Sequence, residues 1–457
     1  NLREAITLLL AISLAATVAT LLPVVMAGDR PSLVIAELLP GINIAFSVEP
    51  LGMLYASLAS GLWIVNSIYS IGYMRGNNEK HQTRFYICFA IAIAAVMGIA
   101  FAENLVTLFL FYEILTLSTY PLVAHKGDAN SVASARVYLG ILLTTSVGLL
   151  LPAIIWTYSV ADTVSFVPGG ILAGNLTGPG VGLLLALYVF GIGKAAVMPV
   201  HRWLPAAMVA PTPVSALLHA VAVVKAGVFT VTKIILYVFG TDLLAQEPSS
   251  NWLIFASAFT ILAASLVALR QQNLKRLLAY STIGQLSYVI MAAAGLTPLS
   301  TIGASVHIVA HAFGKITLFF AAGAIYTAAK KTELSQLRGI GMQMPWTMAA
   351  FSIGALSMIG VPPTGGFVSK WFILAGAFQS DNYVAIFTII VSTALNAAYF
   401  LPIIFAAWFR DPDPVAKQHG EAPLPIVIAL TATALATLAL FFFNQPVLDL
   451  ERALMDQ

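Results

Sequence analysis

The stretch "YVFGIGKAAVMPVHRWLP" (188–205) puts a lysine, Lys194, in the middle of an apolar run. A charged side chain at the centre of a membrane helix costs about 2.5–3.5 kcal/mol on insertion scales. Pro199 follows five residues later, and a proline inside a helix removes a backbone hydrogen bond. The stretch therefore predicts an interrupted membrane helix with a buried, functional charge beside the break.

A second stretch, "GVPPTGGFVSKWFILAG" (360–376), repeats this combination with Pro362, Pro363 and Lys370. Short or interrupted hydrophobic segments at matching places in two halves of a chain are typical of transporters built from inverted repeats. We therefore expect breaks at both sites, although a proline can also merely kink a helix.

The composition of the chain indicates a membrane protein. Of its 457 residues, 59% are hydrophobic and 9% are charged, whereas a soluble domain has about 25% charged residues. The apolar runs are roughly 20 residues long, which is the length of a membrane-spanning helix, and they do not alternate as barrel strands do. The single cysteine, Cys88, excludes an internal disulfide and a cysteine-based metal cluster. We predict an all-α polytopic protein that forms a single membrane domain, 1–457.

We predict thirteen spanning segments. They lie near residues 5–27, 50–73, 84–101, 103–123, 131–158, 180–199, 205–239, 251–270, 275–295, 300–327, 345–369, 371–409 and 424–443. The stretch 371–409 has a break near residue 380, so its true span is expected to begin near Tyr383.

The basic residues predict the orientation. Fifteen Lys and Arg residues fall in one set of loops, including Lys417, and two, Arg30 and Arg452, fall in the opposite loops. Because Lys and Arg accumulate on the cytoplasmic side, residue 1 is predicted to be cytoplasmic and the C-terminus outside. We place the chain in the cytoplasmic (inner) membrane of a bacterium or archaeon.

Ionisable residues inside the segments are the candidate functional groups. They are Glu113, Lys194, Lys225, Lys315 and Lys370, together with the histidines His219, His307 and His311. Four lysines face one central acid, and burial disfavours the charged form of a lysine, so all four are not expected to be charged at once. Histidine titrates near neutral pH. A row of such groups can carry protons.

The spacing within one segment supports the row. His307, His311 and Lys315 recur every four residues and so share one helical face. A structural alternative remains open for His219, which can serve as a helix–helix hydrogen-bonding residue. Lys233 lies nearer the end of its segment, and we expect it to snorkel to the interface.

Other motifs do not support cofactor or metal chemistry. "GIGK" lacks the first glycine and the Ser/Thr of a phosphate-binding loop. "HIVAH" lacks the glutamate of a zinc-protease helix, so we predict no metal site. We also expect no cofactor and no nucleic-acid partner. If the protein belongs to a redox machine, the redox centres lie in other subunits.

Five stretches carry a family resemblance. They are "FYEILTLSTYPLV" (111–123), "GKAAVMPVHRWLPAAMVAPTPVSALLHAVAVVKAG" (193–227), "LKRLLAYSTIGQLSYV" (274–289), "HIVAHAFGKITLF" (307–319) and "GVPPTGGFVSKW" (360–371). With them the chain resembles the antiporter-like membrane subunits shared by respiratory complex I, membrane-bound hydrogenases and Mrp-type cation/proton antiporters.

The resemblance implies a 14-helix fold with two inverted five-helix repeats, each with a broken helix. We assign the halves to 84–239 and 251–409. The family has one more helix at the start than the thirteen predicted here, and the chain lacks an initial methionine, so we expect that first helix to be missing from this sequence.

The resemblance also implies roles for single residues. It pairs a buried glutamate, Glu113, with Lys194 on a broken helix, and it makes Lys225 a bridging lysine. Lys315 becomes the central lysine and Lys370 the lysine on the exit side. The three segment histidines, His219, His307 and His311, match the water-wire histidines of the family.

Lysine at position 370, and the stretch "YSIGYMRGNNEKHQTRFY" (69–86), look most like the MrpD member of the Mrp antiporters. We therefore expect a proton-translocating subunit of a Mrp-type Na⁺/H⁺ antiporter. Its expected partners are other membrane subunits, including a second antiporter-like one, the lipid bilayer, H⁺ and, if the exchanged cation passes here, Na⁺.

Three alternatives remain. The chain could be a proton-pumping subunit of a complex I-like NADH-quinone oxidoreductase or of a membrane-bound hydrogenase. A self-sufficient secondary transporter of an organic solute also has broken helices and inverted repeats. A purely structural membrane anchor is the third, and the buried lysines argue against it.

Overall fold

The computed structural model describes residues 2–412 and 419–455. Residue 1 and Lys417, which entered the orientation argument, lie outside these described residues.

The described chain is almost wholly helical. Its helices are α1 Leu2–Met26, α2 Pro50–Gly76, α3 Gln82–Ala100, α4 Leu105–Val123, α5 Ala129–Thr145, α6 Leu151–Ala161, α7 Pro179–Gly191, α8 Trp203–Ala206, α9 Thr212–Ala216, α10 Val223–Ile234, α11 Thr241–Gln246, α12 Trp252–Leu269, α13 Leu274–Ala293, α14 Pro298–Ala329, α15 Ile340–Gln343, α16 Pro345–Ile359, α17 Gly365–Gln379, α18 Tyr383–Phe409, α19 Leu424–Phe442 and α20 Gln445–Met455. Two strands, β1 Ser32–Leu39 and β2 Ile42–Ser47, form an antiparallel hairpin between α1 and α2.

The predicted all-α membrane fold is confirmed. Over the described residues, ten helical stretches are long and apolar enough to cross a membrane. The more polar α13 and two interrupted segments, α7–α8 and α16–α17, complete the set of thirteen predicted segments. The helix α18 begins at Tyr383, as the sequence predicted.

Two segments lie at the centre of the bundle. The most apolar windows of Thr212–Phe239 and of α14 are 100% and 94% buried, whereas that of the peripheral α1 is 17% buried. A helix without a solvent- or lipid-facing side must find protein partners for every polar group it carries. These two central segments carry Lys225, the paired histidines His307 and His311, and Lys315.

Both proline stretches fall where a helix is interrupted. After α7 ends, Lys194 lies in a single 3-10 turn, Gly193–Ala195, and Pro199 lies in the non-helical chain before α8. In the second half, Pro362 and Pro363 lie between the end of α16 and the start of α17. Proline has no N–H to donate, so each break leaves backbone carbonyls that need other donors.

Two elements were not predicted from the sequence. The hairpin lies between the first two predicted segments, 5–27 and 50–73, and all eight residues of β1 are exposed. The helix α20 follows α19 after a short turn, beyond the last predicted segment, 424–443. It is amphipathic, with Leu450, Glu451 and Leu454 buried.

The first break is held against a central helix by a glycine. A Cβ added at Gly227 of α10 would clash with the carbonyl carbon of Lys194 and with the backbone nitrogen of Ala195. The two backbones therefore touch, and only glycine fits between them.

We predict that Gly227→Ala lowers the stability of the protein. The added methyl group must push two backbones apart, and overpacking of this kind costs about 1–3 kcal/mol. The measurement is the thermal denaturation midpoint in detergent. Gly140→Ala is the control, because an added Cβ there meets nothing within 4 Å. Equal midpoints for the two variants would contradict the close contact.

Candidate functional site

The central lysines are buried inside the protein. Lys194, Lys225 and Lys315 have no exposed surface, and Lys370 is 6% exposed. Their ammonium groups contact hydroxyl groups, backbone carbonyls and an imidazole rather than carboxylates, as the following contacts show. Each lysine is thus solvated by neutral protein atoms, which can accept its hydrogen bonds whether or not it is charged.

Lys194 is held by α4. Its Nζ donates to the carbonyl oxygen of Tyr112 at 2.8 Å and to Oγ1 of Thr116 at 2.6 Å. The same Nζ lies 3.1 Å from the centre of the Tyr112 ring. The backbone N–H of Lys194 donates to the Tyr112 hydroxyl at 3.1 Å. Tyr112 and Thr116 are one helical turn apart and so present one face to Lys194.

The expected ion pair between Glu113 and Lys194 is absent. No ion pair within 4.0 Å joins them in the described part of the chain, and both Glu113 carboxylate oxygens are buried without a hydrogen-bond partner there. The reason is geometric: Glu113 is one residue from Tyr112, about 100° around the helix, while Lys194 bonds to the neighbouring face. The expectation of a closed pair is therefore wrong for this arrangement.

The middle of the molecule joins α10 to α14. Lys225 Nζ makes a short contact with Nδ1 of His311. The ring of His307 lies 6.1 Å from that of His311, and His307 Nδ1 hydrogen-bonds with the Ser369 hydroxyl at 2.8 Å. His307 thereby reaches the residue next to Lys370. Three of the predicted groups are therefore brought together here.

His219 stands apart from these contacts. Its ring lies 4.9 Å from the Phe319 ring, and neither ring nitrogen has a hydrogen-bond partner among the described residues. It is fully buried nonetheless. The alternative role as a helix–helix hydrogen-bonding residue finds no partner in the described part of the chain.

An unbroken series of polar contacts links Lys315 to Lys370. Lys315 Nζ donates to the Ser281 hydroxyl at 2.7 Å, and the Tyr399 hydroxyl donates to the same Ser281 oxygen at 2.9 Å. The Tyr399 hydroxyl also contacts Oδ1 of Asn396. The Asn396 amide donates to the Met358 carbonyl at 3.3 Å, and Lys370 Nζ donates to that carbonyl at 3.1 Å. We call these residues the relay.

Lys370 also donates hydrogen bonds to the free backbone carbonyls at the end of α16. Its Nζ donates to the Ile359 carbonyl at 2.9 Å as well as to Met358, and these are the last two residues before the break after α16. Carbonyls at a helix C-terminus lack intrahelical donors and carry partial negative charge. The break therefore supplies the lysine with its ligands.

Sequence reasoning missed three relay residues, Ser281, Asn396 and Tyr399. Ser281 lies within the stretch 274–289, which carries part of the family resemblance, but an uncharged serine does not mark a site as a buried lysine does. Asn396 and Tyr399 are three residues apart in the apolar helix α18, so they lie on one face. A pair of polar residues at that spacing was the available signal.

Lys233 is not a snorkelling residue. It is 1% exposed, its Nζ lies 2.5 Å from Oε1 of Glu49, and it donates to the Ala102 carbonyl at 2.9 Å. The side chain points into the bundle, where a buried carboxylate and a carbonyl replace water. The prediction for Lys233 was wrong because its partner, Glu49, is distant in sequence.

The link between Lys194 and Lys225 is of a different kind. The backbones around them touch at Gly227, but no hydrogen bond between described residues connects the two side chains. Over the described ranges, no group of three or more His, Cys, Asp or Glu side chains could hold a metal ion.

The chain is similar to known membrane proteins over most of its length. The family described as "NADH:quinone oxidoreductase/Mrp antiporter, TM" matches residues 102–396. NADH-quinone oxidoreductase subunit N of Desulforudis audaxviator is 31% identical over 90% of this chain and 84% of its own length. The A/B component of a probable K⁺/H⁺ antiporter from Rhizobium meliloti is 30% identical over 84% of this chain, which spans 38% of that protein. The Mrp complex of a Dietzia species contains a chain with the same fold, with a TM-score of 0.87 at 22% identity over 99% of this chain and 92% of that chain.

We predict that Tyr399→Phe slows proton transport at least tenfold without loss of assembly. The variant keeps the ring packed against Phe400 but removes the hydroxyl that joins Ser281 to Asn396. The measurement is the initial rate of proton movement in vesicles at equal membrane abundance. Tyr383→Phe, on the same helix but 74% exposed, is the control. Equal rates for both variants would show that the relay carries no protons.

Proposed function

Because the chain belongs to the NADH:quinone oxidoreductase/Mrp antiporter membrane family, we propose that it is an antiporter-like subunit that moves protons along its buried lysines and histidines within a multisubunit membrane complex. The observation that carries the proposal is the relay. It joins two buried lysines through Ser281, Tyr399 and Asn396, each of which can accept one hydrogen bond while donating another. The last member, the Met358 carbonyl, only accepts, from Asn396 and from Lys370, so the final transfer to Lys370 uses water.

Protons enter from the cytoplasmic side and reach Lys194. They pass to Lys225, which contacts His311, and then to Lys315 one turn further along α14. From Lys315 the relay leads to Lys370 on the exit side. Between Lys194 and Lys225 the transfer uses water, because no direct contact of the side chains supports it.

Glu113 and Thr116 offer Lys194 two alternative sites. With its ammonium group on Thr116 and the Tyr112 carbonyl, Lys194 is separated from Glu113, and the buried carboxylate does not stabilise the charge by contact. Movement of the side chain onto Glu113 would favour the charged form. The pair thus acts as a two-state element whose opening releases the proton.

The rival proposal, a self-sufficient transporter of an organic solute, needs a cavity at the breaks. The contacts at both breaks argue against one. Gly227 touches the Lys194 backbone, and a Cβ at Gly366 would meet the Ser357 carbonyl oxygen. Close backbone contact at both places leaves room for protons and single waters rather than for a solute.

The driving force comes from partner subunits. We propose a Mrp-type Na⁺/H⁺ antiporter in a bacterial or archaeal cytoplasmic membrane, with the N-terminal end of α1 cytoplasmic and α20 outside. The family resemblance and the distribution of basic residues support this. The alternative, a complex I-like quinone oxidoreductase or a membrane-bound hydrogenase, is supported by the similarity to subunit N. The proposed two inverted repeats, 84–239 and 251–409, each contain one interrupted helix.

Lys194→Arg tests the proposal. Arginine keeps the positive charge and can donate to the Tyr112 carbonyl and to Thr116, but it does not deprotonate in proteins. We expect the complex to assemble and proton transport to fall to background, measured with a pH-sensitive dye in inverted vesicles. Lys80→Arg, at an exposed loop position, should leave the rate unchanged. Wild-type transport by assembled Lys194→Arg complex would make Lys194 a structural cation only.

A further inference from the structure

One face of α13 lies alongside the route from Lys315 to Lys370. Ser281 and Tyr288 are seven residues apart, two turns of the helix, and so share that face. Ser281 accepts from Lys315, and the Tyr288 ring lies 4.9 Å from Lys370 Nζ. Gln285 lies between them, four residues after Ser281 and three before Tyr288, and it is 1% exposed. It therefore occupies the part of α13 between the start of the relay and Lys370.

The Gln285 amide has a fixed orientation. Its Nε2 donates to the Met358 carbonyl at 3.4 Å, and a carbonyl oxygen can only accept. The amide nitrogen must therefore face Met358, which turns Oε1 away from it. Oε1 is buried and has no hydrogen-bond donor among the described residues. A buried acceptor without a donor costs free energy, so this oxygen needs a water molecule as its donor.

The Met358 carbonyl brings three side chains together. It accepts from Gln285, from Asn396 at 3.3 Å and from Lys370 at 3.1 Å. Asn396 belongs to the relay, and its Oδ1 contacts the Tyr399 hydroxyl. Side chains that share one acceptor are close enough for a single water to bridge them. A water on Gln285 Oε1 would therefore lie within reach of the Tyr399 hydroxyl and of Lys370.

Lys370 can accept a proton at this place when it is neutral. Its Nζ makes three contacts, with the Met358 and Ile359 carbonyls and, at 3.3 Å, with Thr393 Oγ1. A charged lysine uses all three N–H groups, whereas a neutral amine keeps two of them and gains a lone pair. The two carbonyls need donors, so the longest contact, with Thr393, is the one that neutral Lys370 gives up. Its lone pair is then free to accept from water.

We propose that Gln285 is a positioning residue, which holds the water that carries the proton from the relay to Lys370. The water donates one hydrogen to Gln285 Oε1 and its other to the lone pair of neutral Lys370. As that second hydrogen is transferred, the water takes a proton from the Tyr399 hydroxyl, which takes one from Ser281, and Ser281 takes one from charged Lys315. The water and both hydroxyls end as they began, and one proton has moved from Lys315 to Lys370. This inference rests on the proposed function, because it names the residue that positions the water in the proposed path.

The test uses Gln285→Met in the whole complex. Methionine fills a similar volume but has neither the amide donor nor Oε1, so the water loses the group that holds it. We expect proton transport to fall at least fivefold at equal membrane abundance. Gln272→Met, the same change at an exposed position, should keep the wild-type rate. A cryo-EM map of the wild-type complex should contain a water within hydrogen-bond distance of Gln285 Oε1, and the map of Gln285→Met should lack it.

The outcomes are distinguishable. If the wild-type complex moves no protons, the proposed function fails and this inference falls with it. If it does and Gln285→Met transports at the wild-type rate, only the inference about Gln285 is wrong. A wild-type map without a water at Oε1 also overturns the inference, because the amide would then only brace the Met358 carbonyl. Should Gln285→Met fail to assemble, Gln285→Asn decides, because it keeps the amide but withdraws its oxygen by one methylene group. We expect it to slow transport by a similar factor, and a wild-type rate would overturn the inference.

Discussion

The structure depends on one constraint: an ammonium group inside a membrane protein must find hydrogen-bond acceptors before it can stay there. Here the acceptors are neutral. Lys194 uses a carbonyl and a hydroxyl of α4, and Lys315 uses Ser281. Lys370 uses the carbonyls left free where α16 ends. Neutral acceptors stabilise the charged lysine less than a carboxylate would, and in the proposed path this difference lets the proton leave.

The two helix breaks provide hydrogen-bond acceptors for their lysines in different ways. At the second break the chain provides its own carbonyls to Lys370, and the ligands are fixed to the same segment. At the first break Lys194 is bound by a different helix, α4, which also carries Glu113 one residue from Tyr112. In the proposed mechanism the lysine side chain exchanges one set of partners for the other. We therefore propose that the first break gates proton transfer and that the second passes protons on.

Much of the fold could be predicted from the sequence because burial has a large cost. Runs of apolar residues predict spans, prolines predict breaks, and a lysine in such a run marks a site. The partners of these lysines could not be predicted, because each comes from a distant helix. Ser281, Asn396 and Tyr399 carry no charge, so burying them does not have the large free-energy cost that makes a buried lysine stand out in the sequence. The family resemblance pairs Glu113 with Lys194. That Lys194 instead bonds to Tyr112 and Thr116, on a neighbouring face of α4, can be seen only in the three-dimensional structure. The helix α20 is too short and too polar to look like a span.

In the proposed path, protons pass between the lysines by way of neutral acceptors, and both halves of the path meet at Lys315. Lys315→Met tests it most directly, because methionine fills a similar volume in α14 but neither binds nor releases a proton. The measurement is the initial rate of proton transport by the purified whole complex in proteoliposomes, at equal reconstitution. We expect transport to fall to the rate of empty liposomes. Transport at the wild-type rate by assembled Lys315→Met complex would contradict it.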